Sequence, residues 1–578
     1  VADTTRVGSR GRIRGKGLDR KVAAAVAAEK FEIGNMPKAY IDGREIEFSM
    51  GERLNGIQAA ARAGIAIPHY CWHPGLSVVG SCRMCLVEVG TRDTESGRII
   101  MLPKLMPACN TPIKDGTVLV THSEKVARAR AMVEEDLLLR HPIDCSICDK
   151  AGECSLQDYH FRYGTAERRA EIRPFTSRKR DLGDITLFVD RCVMCSRCVR
   201  FTREISGASE LLIIRRGAHE EIDVLPEQPL NNPLSGNVVD LCPVGALADK
   251  EFLYKQRVWH LRRSPGICTL CATGCSIWIE QNQDRVYRIK PRENPQVNHW
   301  WICNAGRYSY PRIHDPKRLR GTVRRTGEAL VPVDGKALLR ELPDRLRSAG
   351  RLALMLSPFL TVEEAYLACA WIRSLDTQAQ ITVGPIPRDG EDQQFSGGFR
   401  ISAQKCPNRK GVEEIAAYFQ PGGPTWSEWL NAAGRGEFGG IWVAGGYVDP
   451  WIDGPTARQV RRAGLLIVQD LFPTPLSDIA DYVLAAGAFA ETEGSYVNAR
   501  HRLQVARRAV RPPWGNRPCG PLMWDLLGRT GLYDPRRVLS EVAAEIPYFH
   551  AALGEIPDIG IDLRINQLAE VTQRQPVV

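Results

Sequence analysis

Residues 192–198 read Cys192-Val-Met-Cys195-Ser-Arg-Cys198, and further along stands Cys242-Pro243. Three cysteines at two-residue gaps, closed by a distant cysteine before a proline, form the run with which bacterial ferredoxins hold a 4Fe-4S cluster. In two-cluster ferredoxins the cysteine before the proline serves the other cluster. Only one such run exists here, so Cys242 closes the set of Cys192, Cys195 and Cys198.

Working outward, fifteen of the 18 cysteines lie between Cys71 and Cys303, and with one histidine they fall into four successive groups. A disulfide framework is typical of small secreted domains short of a core, whereas this chain has 578 residues. Zinc competes more strongly, because Cys-x-x-Cys pairs also serve structural tetrahedral sites.

The first group, Cys71, Cys82, Cys85 and Cys109, has gaps of ten, two and 23 residues. Upstream, Lys38 to Phe48 reads as a hairpin turning at Asp42-Gly43, and Arg53 to Arg62 as an amphipathic helix. Strand, turn, strand, helix and cysteine loop is the order of a β-grasp ferredoxin domain. The group is therefore assigned a 2Fe-2S cluster, with a zinc knuckle as the alternative. His69 and His73 flank Cys71, but four thiolates suffice, so both read as supporting or surface residues.

The second group, His141, Cys145, Cys148 and Cys154, offers three thiolates and an imidazole. Taken alone it suits zinc as well as a 4Fe-4S cluster; its place between two cluster motifs favours the cluster. Thr121-His-Ser-Glu124 reads as a capping box, and the stripe Val126, Met132, Val133, Leu137 as a helix running up to His141. The fourth group, Cys268, Cys271, Cys275 and Cys303, again fits a 4Fe-4S cluster, since a zinc ribbon would want two Cys-x-x-Cys pairs. Cys369, Cys406 and Cys519 have no partners at ligand spacing and read as ordinary core or surface thiols. Arg83, Arg191, Arg197 and Arg200 lie beside ligands, where cations would stabilise reduced clusters or serve as salt-bridge anchors.

Further stretches carry a resemblance: Ile67-Pro-His-Tyr-Cys71, Cys82-Arg-Met-Cys-Leu-Val-Glu88, His141-Pro-Ile-Asp-Cys145, Gly152-Glu-Cys-Ser-Leu-Gln-Asp158, Arg191-Cys192, Arg197-Cys-Val-Arg-Phe201 and Ser235-Gly-Asn-Val-Val-Asp-Leu-Cys-Pro-Val-Gly-Ala-Leu247. In these, residues 38 to about 310 resemble the large iron-sulfur subunits of bacterial respiratory complex I, the NADH:quinone oxidoreductase. The resemblance implies a ligand role for all sixteen residues above, one 2Fe-2S and three 4Fe-4S clusters, and no catalytic residue in this chain itself. It implies that electrons enter from a flavin subunit oxidising NADH, with its 2Fe-2S partner subunit, and leave to iron-sulfur subunits on the quinone side. It also implies a peripheral place on the cytoplasmic face of the bacterial inner membrane.

The cysteine framework is similar to that of NAD-linked formate dehydrogenases and of hydrogenase diaphorase subunits, which stay as the alternative. An iron-only hydrogenase would need further clustered cysteines. A molybdopterin enzyme would usually carry a lysine just after the last cluster cysteine, where this chain has Asn304-Ala-Gly-Arg307, and a later catalytic cysteine, for which Cys406 alone could pass.

Beyond that point, Arg351–Leu356, Gly440–Ala444 and Leu465–Val468 read as buried strands and Val362–Ile372 as a helix, a parallel α/β layer. Glu491-Thr-Glu-Gly-Ser-Tyr-Val-Asn498 resembles a late pterin-side loop of the molybdopterin oxidoreductases, in a domain short for enclosing that cofactor; no molybdopterin is expected. Gly445-Gly446 and Gly494 lack a complete phosphate fingerprint and read as turns. The organisation is thus mixed α+β and α/β: a basic arm (1–37), a β-grasp 2Fe-2S domain (38–117), a His/Cys-ligated helical 4Fe-4S domain (118–178), a ferredoxin-like 4Fe-4S domain (179–262), a molybdopterin-oxidoreductase-type 4Fe-4S domain (263–318) and a truncated, pterin-free α/β domain (319–578).

A formal charge of +10 could suggest nucleic acid, but no nucleic-acid module is recognisable and part of the excess sits in the arm, with seven basic residues and one acidic between Arg6 and Lys21. The arm reads as a solvated tail or docking strap. An Arg-rich transit peptide is the other option, although no apolar signal core follows. No apolar run approaches the ~18–20 residues of a membrane span.

Overall fold

The computed structural model describes residues 36–565 apart from 94–95, 168, 172–177, 218 and 226–227. All but the last two residues of the expected basic arm lie outside the described residues. The chain divides into one unit of Val1–His69 with Gly80–Val133 and another of Tyr70–Val79 with Glu134–Val578.

In the first unit, β1 (Lys38–Ile41) and β2 (Arg44–Glu47) form the expected hairpin. Asp42 and Gly43 both have positive φ, 48° and 79°, the geometry of the tight hairpin turns whose twist matches the strands. Next come α1 (Gly56–Arg62), β3 (Leu86–Arg92), β4 (Ile99–Met101), β5 (Met106–Pro107) and β6 (Thr117–Val120). The sheet order is β2-β1-β6-β3-β4, with β1 and β6 parallel and β5 paired to β3. This hairpin, helix and parallel central pair is the β-grasp arrangement. The helix starts three residues later than Arg53, because Asn55 accepts from Gln58 N and Gln58 reaches back to Asn55 N, closing a capping box there.

Helix α2 (Glu124–Arg140) ends one residue before His141, as expected. Its start differs from the expected box. Ser123 Oγ accepts from Val126 N at 3.3 Å, while Thr121 Oγ1 donates to Asp42. Met132, expected in the buried stripe, is exposed; a step of four from Val126 buries Arg130 instead, which donates to Leu86 O at 3.5 Å.

The second unit continues with small elements, of which α4 contains Cys198: α3 (Ser155–Tyr163), β7 (Lys179–Asp181), β8 (Ile185–Phe188), α4 (Arg197–Glu204), β9 (Leu211–Ile214), β10 (Glu221–Val224), α5 (Asn237–Leu241) and β11 (Leu247–Asp249). An antiparallel sheet follows in the order β12 (Arg262–Ile267), β13 (Ser276–Asn282), β14 (Arg285–Pro291), then the short α6 (Asn304–Arg307).

The last domain contains a seven-stranded sheet. Its elements open with the hairpin β15 (Thr322–Thr326) and β16 (Ala329–Pro332), then α7 (Gly335–Ser348), β17 (Leu352–Leu356), α8 (Val362–Leu375) and β18 (Gln380–Val383). A small hairpin, β19 (Gln393–Gln394) with β20 (Arg400–Ile401), precedes α9 (Arg409–Phe419), α10 (Trp426–Gly434), β21 (Gly440–Ala444), α11 (Gly454–Val460), β22 (Leu465–Asp470) and β23 (Tyr482–Ala485). The order is β16-β15-β23-β22-β21-β17-β18, parallel from β23 to β18. Strands β17, β21 and β22 are buried along their whole length, which is why they read as continuous apolar runs without alternation. The chain closes through β24 (Gly494–Val497), β25 (Arg502–Ala506), α12 (Cys519–Leu526), α13 (Pro535–Glu545) and β26 (Ile561–Asp562). Among the described residues no helix is long and apolar enough to cross a membrane.

Candidate metal centres

All 18 cysteines are free of disulfides. In the first unit, Cys85 and Cys109 are buried and Cys82 half-buried. Strand β3 starts directly after Cys85, its first residues pair with β5, and Ala108 N donates to Cys85 O at 3.0 Å, so Cys109 is drawn to the Cys85 turn. Gly56 of α1 permits this, because a Cβ there would meet Ala108 at 3.0 Å. Arg83, between two cysteines, is left-handed with φ 59°.

The second unit holds buried Cys71 and the three later groups. The Cys71 loop is seated by aromatic packing. His73 stacks on buried Trp301 with centroids 5.5 Å apart, and a Cβ on Gly75 would lie 2.7 Å from Trp300. His73 is thus a packing residue.

His141 follows the end of α2, and its Nδ1 is buried without a hydrogen-bond partner among the described residues. Burial, and then the Arg191 cation, lower its pKa to about 4. The ring is therefore neutral with a free nitrogen, the form that ligates metal. Asp144 turns the following loop by accepting from Ile147 N and Cys148 N at 2.9 Å, and buried Arg191 pairs with its carboxylate at 3.0 Å. Arg257 braces the loop from outside, donating to the carbonyls of Cys145, Ser146 and Cys148 at 3.1, 3.0 and 2.9 Å. Gly245, in the segment after Cys242, leaves room for the Cys148 thiol: a Cβ there would sit 2.2 Å from Cys148 Sγ.

Between Cys192, Cys195 and Cys198, Met194 and Ser196 are left-handed, φ 49° and 57°, a conformation that costs non-glycine residues energy and curls the loop. Burial, and then the neighbouring cysteines including Cys242, push the Cys195 thiol up to about 11 and raise Cys192 and Cys198 as well. Cys242 sits at the carboxyl end of α5.

In the fourth group, Cys268 N donates to Cys275 O at 2.9 Å across a turn in which Gly274 has φ 62°. A Cβ on Gly306 would lie 3.0 Å from Cys268 Sγ, and Gly306 N donates to Cys303 Sγ at 3.4 Å. Burial, and then Cys271, push Cys303 up to about 11, with Lys405 acting the other way. Burial raises Cys268 and Cys275 too, followed by their three neighbours in the case of Cys275.

Sets of thiols that suppress one another's ionisation ionise once a cationic core sits among them. The donors present therefore fit iron-sulfur groups. Among the described residues, no three His, Cys, Asp or Glu side chains converge closely enough to hold a single metal ion.

Cys369, Cys406 and Cys519 are core residues. Burial pushes the Cys406 thiol up to about 12. Sequence reasoning missed Arg257, Gly245 and Lys405, each brought to a cysteine from a distant segment.

The chain is similar to iron-sulfur cluster binding domains that run in one series. Family models match it consecutively: a 2Fe-2S iron-sulfur cluster binding domain (35–124), the NADH-ubiquinone oxidoreductase-G iron-sulfur binding region (130–169), the ferredoxin-like domain of NADH-quinone oxidoreductase subunit 3 (184–248), the molybdopterin oxidoreductase Fe4S4 domain (261–315) and molybdopterin oxidoreductase (419–519). With the NADH-quinone oxidoreductase G-subunit of Rickettsia felis it is 36% identical over 348 residues, 59% of this chain and 49% of the relative. The corresponding values for that of Rickettsia conorii are 38% over 319 residues, 54% and 45%. For the mitochondrial NADH-ubiquinone oxidoreductase 78 kDa subunit of Candida albicans they are 38% over 272 residues, 46% and 36%. The matched stretches span about half the length of these bacterial relatives. A crystal structure of NAD+-reducing [NiFe]-hydrogenase in the H2-reduced state aligns at 28% identity and TM-score 0.33, covering 38% of this chain and 91% of the other. Over its iron-sulfur half the chain is similar to the large iron-sulfur subunits, the G-subunits, of the NADH-quinone oxidoreductases.

Proposed function

We propose that the chain is an electron relay in the peripheral arm of an NADH:quinone oxidoreductase, with no substrate-converting site of its own. The observation that carries this reading is that three four-donor sets, together with Cys71, lie in one unit, inside loops shaped by glycines and arginines. Cys71, Cys82, Cys85 and Cys109 would hold a 2Fe-2S cluster. Three 4Fe-4S clusters would be held by His141, Cys145, Cys148 and Cys154; by Cys192, Cys195, Cys198 and Cys242; and by Cys268, Cys271, Cys275 and Cys303. When bound, such clusters accept and release single electrons. The protein's part is to space them, exclude water and set the local field.

The partners in this reading are a flavin subunit that oxidises NADH, its 2Fe-2S companion and quinone-side iron-sulfur subunits, at the cytoplasmic face of a bacterial inner membrane. A docking face supports it. Ile143, Ile147 and Phe161 are 54%, 57% and 83% exposed around the second donor set, beside a cavity of about 360 Å³ that His141, Cys145 and Cys154 help to line. Exposed apolar clusters of this kind mark interaction sites.

No pterin is part of the reading. Between the Thr269-Leu270 loop and Gly445-Gly446 the cavity amounts to about 50 Å³, against the ~300–1,000 Å³ of ordinary cofactor pockets. A larger cavity of about 470 Å³ lies elsewhere, lined by Glu363, Glu493 and Gly494, and gives the molybdenum or tungsten alternative a foothold.

Anaerobically purified protein is expected to be brown, to contain iron and acid-labile sulfide in equal amounts, and to give low-temperature EPR signals after dithionite reduction. Colourless, EPR-silent protein would overturn the relay. Stoichiometric molybdenum or tungsten would replace it with the pterin reading.

A further inference from the structure

Arg200 lies in α4, two residues past Cys198, and is only 3% exposed. A guanidinium withdrawn from water ordinarily takes a carboxylate partner. Among the described residues its hydrogen bonds go to neutral oxygens instead: Ser196 Oγ at 3.3 Å, Cys195 O at 3.3 Å, and the carbonyls of Ser77 and Cys71. Two of these carbonyls belong to donors of different sets, Cys71 of the first and Cys195 of the third. Arg197, on the same face of α4, repeats the pattern. It donates to Trp72 O at 2.6 Å, next to Cys71, and to Leu241 O at 3.3 Å, next to Cys242.

We infer that Arg200, with Arg197, is a cationic bridge that fastens the Cys71 loop to the third donor set and supplies positive charge shared by the centres on either side. This rests on the relay reading. Without bound groups the bridge is a buried cation held by neutral oxygens. With them, it is compensated by two anionic centres. A cation in a poorly polarisable interior stabilises the more negative, reduced state of each neighbour. Arg200 is thus a positioning residue whose loss has an electrochemical signature that a purely structural role would lack. The fourth set takes no hydrogen bond from either arginine among the described residues, which makes its centre the internal reference.

The test is an EPR-monitored redox titration of the holoprotein as wild type, Arg200→Gln and Arg200→Lys. In Arg200→Gln the midpoints of the first and third centres are expected to fall together, by about tenfold in the reduced-to-oxidised ratio at fixed poise, ~59 mV for a one-electron couple. The fourth centre keeps its midpoint. Arg200→Lys retains charge but not the fork, and its two midpoints are expected to lie nearer wild type. If the wild type shows no reduced-state signals, the relay reading falls. If the signals are present but Arg200→Gln leaves the first and third midpoints in place, moves one alone, or moves the fourth equally, the bridge falls and the relay stands. Should Arg200→Gln fail to assemble, the lysine variant decides: two midpoints that move or stay together support the bridge, and one moving alone overturns it.

Discussion

In the proposed relay, His141 is the donor whose chemistry differs from the rest, being neutral where the others would become anionic. Replacing it with cysteine adds a negative charge to the second centre. His141→Cys is therefore expected to keep the centre assembled while lowering its midpoint potential, since reduction then adds an electron to a more negative group. An unmoved midpoint in an EPR titration would remove His141 from the donor set. Gly245 gives a second test at this scale. A methyl there would lie 2.2 Å from Cys148 Sγ, so Gly245→Ala must displace the thiol or the loop, and overpacking of this kind costs about 1–3 kcal/mol. Loss of EPR intensity from the second centre is expected, with the fourth centre unaffected. The proposed donors could be picked out from the sequence alone because ligand spacing is a local property. Gly245, Arg257 and Lys405 were not, because each meets its cysteine loop only after distant segments have packed.

Among the elements, α8 and β24 are joined by a carboxylate that burial has altered. Glu363 is 1% exposed and accepts from Ser495 N and Oγ at 2.8 and 2.7 Å. Burial nevertheless raises its pKa to about 7, with the serine bonds opposing. Because the folded value lies above the unfolded one, the stability this group contributes is complete below the unfolded pKa, near 4.5, and is lost as pH rises through about 7. Thermal unfolding followed between about pH 5 and about pH 8 should show Glu363→Gln flattening the decline of the wild type. An unchanged slope would mean that Glu363 does not titrate in this range. The buried parallel strands and α8 could be read from unbroken apolar runs and an acidic first turn. Helix starts were less legible: Asn55 outcompeted the expected start of α1, and Ser123 took the cap assigned to Thr121, whose hydroxyl is committed to Asp42. The first outcome is a local capping box; the second turns on a hydroxyl that the tertiary fold has already engaged.

At the level of the whole molecule, the relay needs surfaces as well as centres. Phe161→Glu and Ile147→Glu place charge on the apolar face beside the second donor set. They are expected to reduce co-purification of electron-exchanging subunits by tenfold or more, as loss of about 1.4 kcal/mol would, while iron content stays constant. Undiminished co-purification would move the docking face elsewhere. The series of domains was legible because each cysteine group brings its own local fold. The docking face was not, since Ile143 and Phe161 line one cavity only after the chain has folded.

The arginine braces and left-handed turns of the cysteine loops also bear on how this protein comes into being. A loop that must be gathered from a disordered state consumes part of the free energy of metal insertion, whereas one held in shape by Arg257, or by the strained backbone at Met194 and Ser196, has met that conformational demand during folding. Maturation is then closer to loading a finished mould than to casting one, and newly synthesised chains should resist proteolysis at these loops before any iron arrives.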